Sequence, residues 1–564
     1  MRQFDYIIVG AGTAGCLLAN RLSACGRHTV LLLEAGPEDK SPLIKVPIGF
    51  GALFDHQQLS WCLHSEPEPE LNNRTIAQPR GKVLGGSSAI NGMMYVRGQA
   101  EDYNHWASLG NSGWSYQDIL PYFLRSEDSG DGDDCWHGRG GELPVSPVRY
   151  RPALADAFIA AAQQAGIPRN PDINGADQRG IDYTALYQKN GSRFSAARAF
   201  LATAKSRRNL TVVSGATVLR LLFRQRRAQG VEVRLNGGLE QFSFNREILL
   251  CAGALHSPPL LQRSGVGPAV LLQAHGIDII HELAGVGKNL QEHLGIEVRH
   301  TTRAGLTLRD EFRPRRLIVH LLNYLFRRRG LLTFNGALVS GFTHLGGDVS
   351  ARPDCQMVFS PAATDAGADG INIISGITSM AYPLRPDARG SVELRSAAPD
   401  DTPVIRHNFL HSELDKRNMI AAVRLQRSVF AQAAIAPYLD SELSPGAQRH
   451  SDADILAYIR EAALGCYHPV GSCRMGQGPD AVVDEQLRVY GLHGIRVIDG
   501  SVMPTLVSGN TNAAITMIAE KGADMVLTAA AKESQAPLRV RVEPQVSAGV
   551  SPIKRRTKLT SSEE

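Results

Sequence analysis

No apolar run in the 564-residue chain approaches the roughly 18 residues that a membrane-spanning helix needs. Cysteine is sparse. The eight residues Cys16, Cys25, Cys62, Cys135, Cys251, Cys355, Cys466 and Cys473 form no C-x-x-C pair, so neither a disulfide scaffold nor a cysteine-based metal site is expected. Reduced, packed thiols are the simpler expectation. No basic segment with a cleavage site precedes the first apolar run at Phe4, so a secretory signal is not expected and the cytoplasm is the favoured compartment. Charge of one sign is also scarce. Sixty Lys and Arg against 55 Asp and Glu leave a net charge of +5, too little to suggest a nucleic-acid partner. Internal repeats are absent. With 43% hydrophobic and 20% charged residues, the chain reads as an ordinary globular protein, long enough for two structural regions and a large buried ligand.

The N-terminus is the most legible part. Phe4–Val9 reads as a buried strand running into Gly10-Ala11-Gly12-Thr13-Ala14-Gly15. Helical apolar spacing follows to Leu22, and a second strand, Thr29–Leu33, ends at Glu34 and Ala35. In this β-α-β unit, Gly10 permits the tight turn and Gly12 lets backbone N–H groups approach a pyrophosphate. Gly15 lets the helix lie close to the strand, with its N-terminus facing the phosphates. Glu34 suits a ribose hydroxyl and would repel a 2′-phosphate, which disfavours NADP. FAD and NAD remain open on this unit alone.

Further along, Arg80-Gly81-Lys82-Val83-Leu84-Gly85-Gly86-Ser87-Ser88-Ala89-Ile90-Asn91-Gly92-Met93-Met94 leads into Tyr95-Val96-Arg97-Gly98. Gly253-Ala254-Leu255-His256-Ser257-Pro258, Gly285-Val286-Gly287-Lys288-Asn289-Leu290-Gln291-Glu292-His293, His468-Pro469-Val470-Gly471 and Ser508-Gly509-Asn510-Thr511-Asn512 follow in order. This series resembles the glucose–methanol–choline (GMC) oxidoreductases. The resemblance implies an α/β chain with a Rossmann-like FAD-binding domain and a discontinuous α+β substrate domain containing an antiparallel sheet. Residues 1–149, 206–295 and 461–535 would form the first, and residues 150–205 and 296–460 the second. Residues 536–564 read as a polar, flexible tail. Cofactor contacts implied beyond Gly10, Gly12, Thr13, Ala14, Gly15, Glu34 and Ala35 fall on Trp61, Val83, Gly85, Ser88, Asn91, Gly92, Met93 and Met94. Val218, Ala252, Tyr467, Asp499, Gly500, Asn510 and Thr511 complete the set. Ile90 stands where some members carry a flavin-linking histidine, so non-covalent FAD is expected.

Oxidising an alcohol requires loss of the hydroxyl proton and of a hydride from one carbon, so a base must lie within hydrogen-bond reach of the hydroxyl. Histidine suits this role near neutral pH. The resemblance assigns it to His468, and the second catalytic side chain, an amide that can donate to the substrate oxygen, to Asn512. Asn512 could equally act as a helix cap. In the loop 332–339, Leu338 occupies the place of a carboxylate in choline-oxidising members, which argues for an uncharged primary alcohol. Electrons would pass to a quinone or to oxygen, and a non-oxidative lyase on the same scaffold stays open, as does the oligomeric state. The segment Arg313 to Arg329 has an apolar centre with basic flanks. Apolar helix faces usually bury in the core, so a packed substrate-domain helix is expected, with peripheral contact at the inner membrane face as the alternative.

Overall fold

The computed structural model describes residues 2–303, 307–346, 351–367 and 370–535. The expected tail, 536–564, lies outside them. Arg2–Val9, Thr13–Ser23 and Val30–Glu34 form the expected strand, helix and strand. All five residues of Val30–Glu34 are buried, as a near-continuous apolar strand covered on both faces must be. The sheet runs in the order Leu210–Ser214, Val30–Glu34, Arg2–Val9, Gly238–Leu250, Arg227–Leu235, Ala216–Arg224, and Ile495–Val497 also pairs with Gly238–Leu250. The pairings of Arg2–Val9, Val30–Glu34, Leu210–Ser214, Gly238–Leu250 and Ile495–Val497 are parallel, whereas Arg227–Leu235 is antiparallel to both its neighbours. The parallel strands end together at Val9, Glu34, Leu250 and Val497, so the crevice beyond their carboxyl ends is shared by segments hundreds of residues apart.

A second sheet is antiparallel, in the order Leu439–Ser444, Leu294–Thr302, Gly376–Pro383, Cys355–Ser360, Val339–Thr343, Gly180–Tyr183. Helices Ala153–Gln164 and Glu413–Phe430 pack on it and on each other. Strand alternation sends Thr378, Met380 and Tyr382 to a large cavity, as it does Val358 and Ser360. This sheet therefore forms the far wall of the crevice. The pairing of Leu143–Pro147 with Ala185–Leu186 crosses the boundaries read from the sequence, and strand Leu294–Thr302 itself runs across the boundary at 295/296.

All eight cysteines are free, and five of them are buried. The basic-flanked segment does form a helix, Pro314–Arg327, but the expected burial of its apolar face does not occur. Tyr324 is its only buried residue, while Leu317, Ile318, Val319, Leu321, Leu322, Leu325 and Phe326 are exposed. The physical reason is that the helix docks through its polar side. His320 and Arg316 both bind Glu311, which leaves the apolar stripe pointing away from the protein.

Candidate active site

One cavity of about 1040 Å³ extends from the N-terminal glycine turn to the second sheet. Its nucleotide end is built by close backbone approach. A Cβ on Gly15 would lie 1.9 Å from the Gly10 carbonyl oxygen, and one on Gly86 would lie 2.6 Å from the Gly12 Cα, with Gly86 at φ +53°. Gly12 itself faces open space, with nothing within 4 Å of an added Cβ. It precedes helix Thr13–Ser23, whose first turn has no side-chain cap. Free helix N–H groups beside an open, Cβ-free surface fit an anionic diphosphate. Glu34 reaches the same cavity, its oxygens accepting from Ala11 N at 2.8 Å and Gly36 N at 2.9 Å. Burial pushes its carboxyl up to about 7, against the pull of those two amides. The residues present thus fit a dinucleotide.

Most of the expected cofactor residues line this cavity: Gly10, Gly12, Thr13, Ala14, Glu34, Ala35, Trp61, Asn91, Gly92, Met93, Met94, Val218, Ala252, Tyr467, Asp499, Gly500, Asn510 and Thr511. Gly15, Val83, Gly85 and Ser88 stand behind it, and Gly86 and Ser87 present the wall in their place. Ser88 is engaged inside the protein, donating to Gly85 O and accepting from Ala196 N. Asp499 is similarly occupied. Its two oxygens accept from Gly253 N, Ser257 Oγ, Ser501 N and Ser501 Oγ, so the side chain braces the loop rather than reaching a ligand. Leu338, read as the counterpart of a substrate-binding carboxylate, is fully buried in the core and does not line the cavity. Glu297, from strand Leu294–Thr302 of the second sheet, does line it and is already bound by Arg299 Nε at 2.8 Å.

His468 lies in the cavity at the middle of a chain of four hydrogen bonds whose direction follows from one backbone group. The Leu384 carbonyl can only accept, so His293 Nε2, 3.0 Å away, donates to it. Burial pushes the His293 imidazole down to about 4, so it is neutral and its Nδ1 carries a lone pair. His468 Nδ1, 3.0 Å from that atom, therefore donates. Burial, with the nearby His293 and Arg80, holds His468 well below its ordinary value, so it too is neutral and its Nε2 is an acceptor. Asn510 Nδ2, at 2.9 Å, donates to Nε2. Gln356 Nε2 holds the other end of that amide by donating to Asn510 Oδ1 at 3.2 Å. The backbone amides of His468 and His293 both donate to Glu292 Oε1, at 2.7 and 2.9 Å. Burial raises that carboxyl to about 8, so near neutrality it adds little charge beside the imidazole pair.

The amide that meets His468 is thus Asn510, not Asn512. The Asn512 side chain accepts from Thr13 Oγ1 at 2.6 Å, tying the first residue of helix Asn512–Gln535 to the glycine turn. The two asparagines straddle a loop-to-helix junction, where the chain turns and consecutive side chains diverge; sequence distance from His468 does not reveal which one faces the base. His293, Glu292 and Gln356 were not singled out in the sequence. The first two lie inside the segment 285–293, but nothing in their spacing marks them as partners of His468.

Comparison with known proteins identifies the family. The GMC oxidoreductase family models match residues 4–295 and 386–519. An alcohol dehydrogenase (acceptor) of Pseudomonas putida is 42% identical over 93% of this chain and 96% of its own. An oxygen-dependent choline dehydrogenase of Brucella anthropi is 38% identical over 95% and 98%. The crystal structure of pyridoxine 4-oxidase from Mesorbium loti superposes with a TM-score of 0.84 at 31% identity, over 92% of this chain and 98% of that one. The chain belongs to the GMC oxidoreductase family. It is an enzyme, a flavin-dependent oxidoreductase of the kind that acts on alcohols.

Proposed function

We propose that this protein oxidises an uncharged primary alcohol to the aldehyde, with His468 Nε2 as the base and Asn510 as the amide that holds the substrate oxygen. The carrying observation is the hydrogen-bond chain from Leu384 to Asn510, which leaves an unprotonated ring nitrogen and an amide N–H facing the same cavity. An alcohol entering between them gives its proton to Nε2 while its oxygen accepts from Asn510 Nδ2, which stabilises alkoxide character as it develops. FAD, held non-covalently by the glycine turn, Glu34 and the loop 85–94, supplies when bound the acceptor for the hydride that leaves the carbinol carbon. No histidine stands at Ile90 to attach it. Phe50, Phe334, Val358 and Met380 line the substrate end, and Glu297 there is neutralised by Arg299. An apolar alcohol therefore meets complementary surface, whereas a quaternary ammonium meets no uncommitted carboxylate. Electrons then leave to a quinone or another carrier.

Anaerobic mixing of the holoenzyme with a panel of primary alcohols should bleach the flavin absorbance, and His468→Ala should abolish the bleaching with flavin content retained. Bleaching by His468→Ala at the wild-type rate would remove His468 as the base. Reoxidation by a soluble quinone faster than by dissolved oxygen is the expected acceptor result.

A further inference from the structure

Helix Pro314–Arg327 is amphipathic in an inverted sense. With successive residues about 100° apart, His320, Asn323, Tyr324 and Arg316 share the side turned to the protein. There His320 Nε2 lies 2.7 Å and Arg316 Nη1 2.9 Å from Glu311, and Tyr324 is buried. Leu317, Ile318, Leu321, Leu322 and Leu325 form one continuous outward stripe, widened by Val319 and Phe326. Ile318 is 59% and Phe326 81% exposed. A single exposed leucine needs no explanation, but seven contiguous apolar side chains on one helix mark an interaction surface.

The charges around the stripe indicate what covers it. Arg313 and Arg315 flank one end, and Arg327, Arg328 and Arg329 the other. Among the described residues, Arg315, Arg327 and Arg329 have no carboxylate partner, and all are exposed. An apolar strip bordered by cations at both ends matches a bilayer surface, with acyl chains under the strip and anionic headgroups beside the arginines. No helix among the described residues is long and apolar enough to cross a bilayer, so the fit is to lying on it.

Position adds a second, independent observation. Phe312, two residues before the helix, and Ile373 are both exposed and both line the active-site cavity, so the cavity opens beside this helix. Leu308 and Phe334, from the segments that lead into and out of the helix, line it as well. We infer that helix Pro314–Arg327 is a docking platform for an anionic phospholipid surface, seating the mouth of the active-site cavity on the membrane interface. An apolar alcohol or electron carrier dissolved in the bilayer would then reach the cavity without crossing bulk water. The docking itself does not depend on the alcohol chemistry proposed above.

The test uses the holoenzyme and two kinds of vesicle, phosphatidylcholine alone and phosphatidylcholine with about 30% phosphatidylglycerol. Wild-type protein should float with the anionic vesicles, and about 0.5 M salt should weaken the association several-fold by screening. Ile318→Glu/Phe326→Glu should lower binding at least about tenfold, because a charge replaces each inserted apolar group. Arg315→Glu/Arg327→Glu/Arg329→Glu should abolish the preference for anionic lipid. Both variants should keep wild-type flavin content and wild-type bleaching by a short, water-soluble alcohol, which separates loss of docking from loss of fold or chemistry. The inference is overturned if wild-type protein ignores anionic vesicles, or if Ile318→Glu/Phe326→Glu floats as well as wild type. It is equally overturned if light scattering finds a dimer that this variant dissociates and that does not bind vesicles; the stripe would then be covered by a second copy.

Discussion

His293 touches no proposed substrate position, yet it sets the protonation pattern of the residue that does. Its Nε2–H is fixed by the Leu384 carbonyl, and its Nδ1 is the acceptor for His468 Nδ1–H. Replacing His293 by leucine removes that acceptor and leaves a buried N–H on His468 without a partner. Nothing then prevents the proton from moving to Nε2, where it would occupy the lone pair needed for the substrate hydroxyl. An unsatisfied buried donor costs about 1–3 kcal/mol. At roughly 1.4 kcal/mol per factor of ten, the rate of flavin bleaching should fall about 5- to 150-fold. His293→Gln, which can still accept through Oε1 and donate through Nε2, should recover much of that loss. Anaerobic stopped-flow spectroscopy on variants matched for flavin content measures both. A wild-type bleaching rate in His293→Leu would refute the tautomer argument. Equal losses in the leucine and glutamine variants would show that ring packing against Tyr382, at a centroid distance of 5.2 Å, is what matters instead.

Asn510→Ala should lower kcat/KM about 100-fold, the usual scale for a donor to developing negative charge, with the fold retained. Asn512→Ala should instead cost about 1 kcal/mol of stability, or flavin retention, by releasing Thr13 from the helix start; steady-state kinetics and thermal melting distinguish the two, and equal kinetic losses would contradict the assignment. Gly15→Ala should fail to yield a flavin-bound protein, because its Cβ would meet the Gly10 carbonyl oxygen at 1.9 Å, and a yellow, stable variant would show that helix and strand can separate. Burial pushes His407 down to about 3, with neither ring nitrogen bonded and its ring stacked on Phe409 at 4.6 Å. Because the folded value is depressed, the unfolded chain binds a proton below about 6.5 that the folded protein refuses, so His407 weakens the fold progressively as pH falls. The stability advantage of His407→Phe over wild type should therefore grow by about 1.4 kcal/mol per pH unit between roughly pH 6 and 4. Denaturant unfolding of both proteins at several pH values checks it, and a pH-independent difference would mean that the imidazole titrates normally.

Local signals carried the sequence reading far. The glycine turn, its flanking strands and Glu34 are contiguous, and each has a backbone task that only certain residues perform. Gly10 and Gly15 are forced by steric contact, which is why that site was legible from residue types alone. His468 was accessible through its motif. What the sequence left undetermined shares one physical feature: it depends on which of two neighbouring side chains turns inward, or on what lies across space. Asn510 and Asn512 are two residues apart and chemically identical, and only the path of the chain into helix Asn512–Gln535 sends one to His468 and the other to Thr13. His293 lies 175 residues from its partner. Leu338 read as a pocket residue because its loop resembled one, but its backbone bonds to Thr184 and Phe359 fix its strand and bury it in the core.

The helix Pro314–Arg327 shows the same division most clearly. Its amphipathic period is written in the sequence, since apolar residues at three- and four-residue intervals make a stripe wherever the helix lies. Which way that stripe faces is not a property of the helix. It was decided by Glu311, which bonds His320 and Arg316 and so ties the polar side down. Periodicity fixes relative directions along one segment, whereas the choice between core and exterior is made by contacts that the segment does not contain.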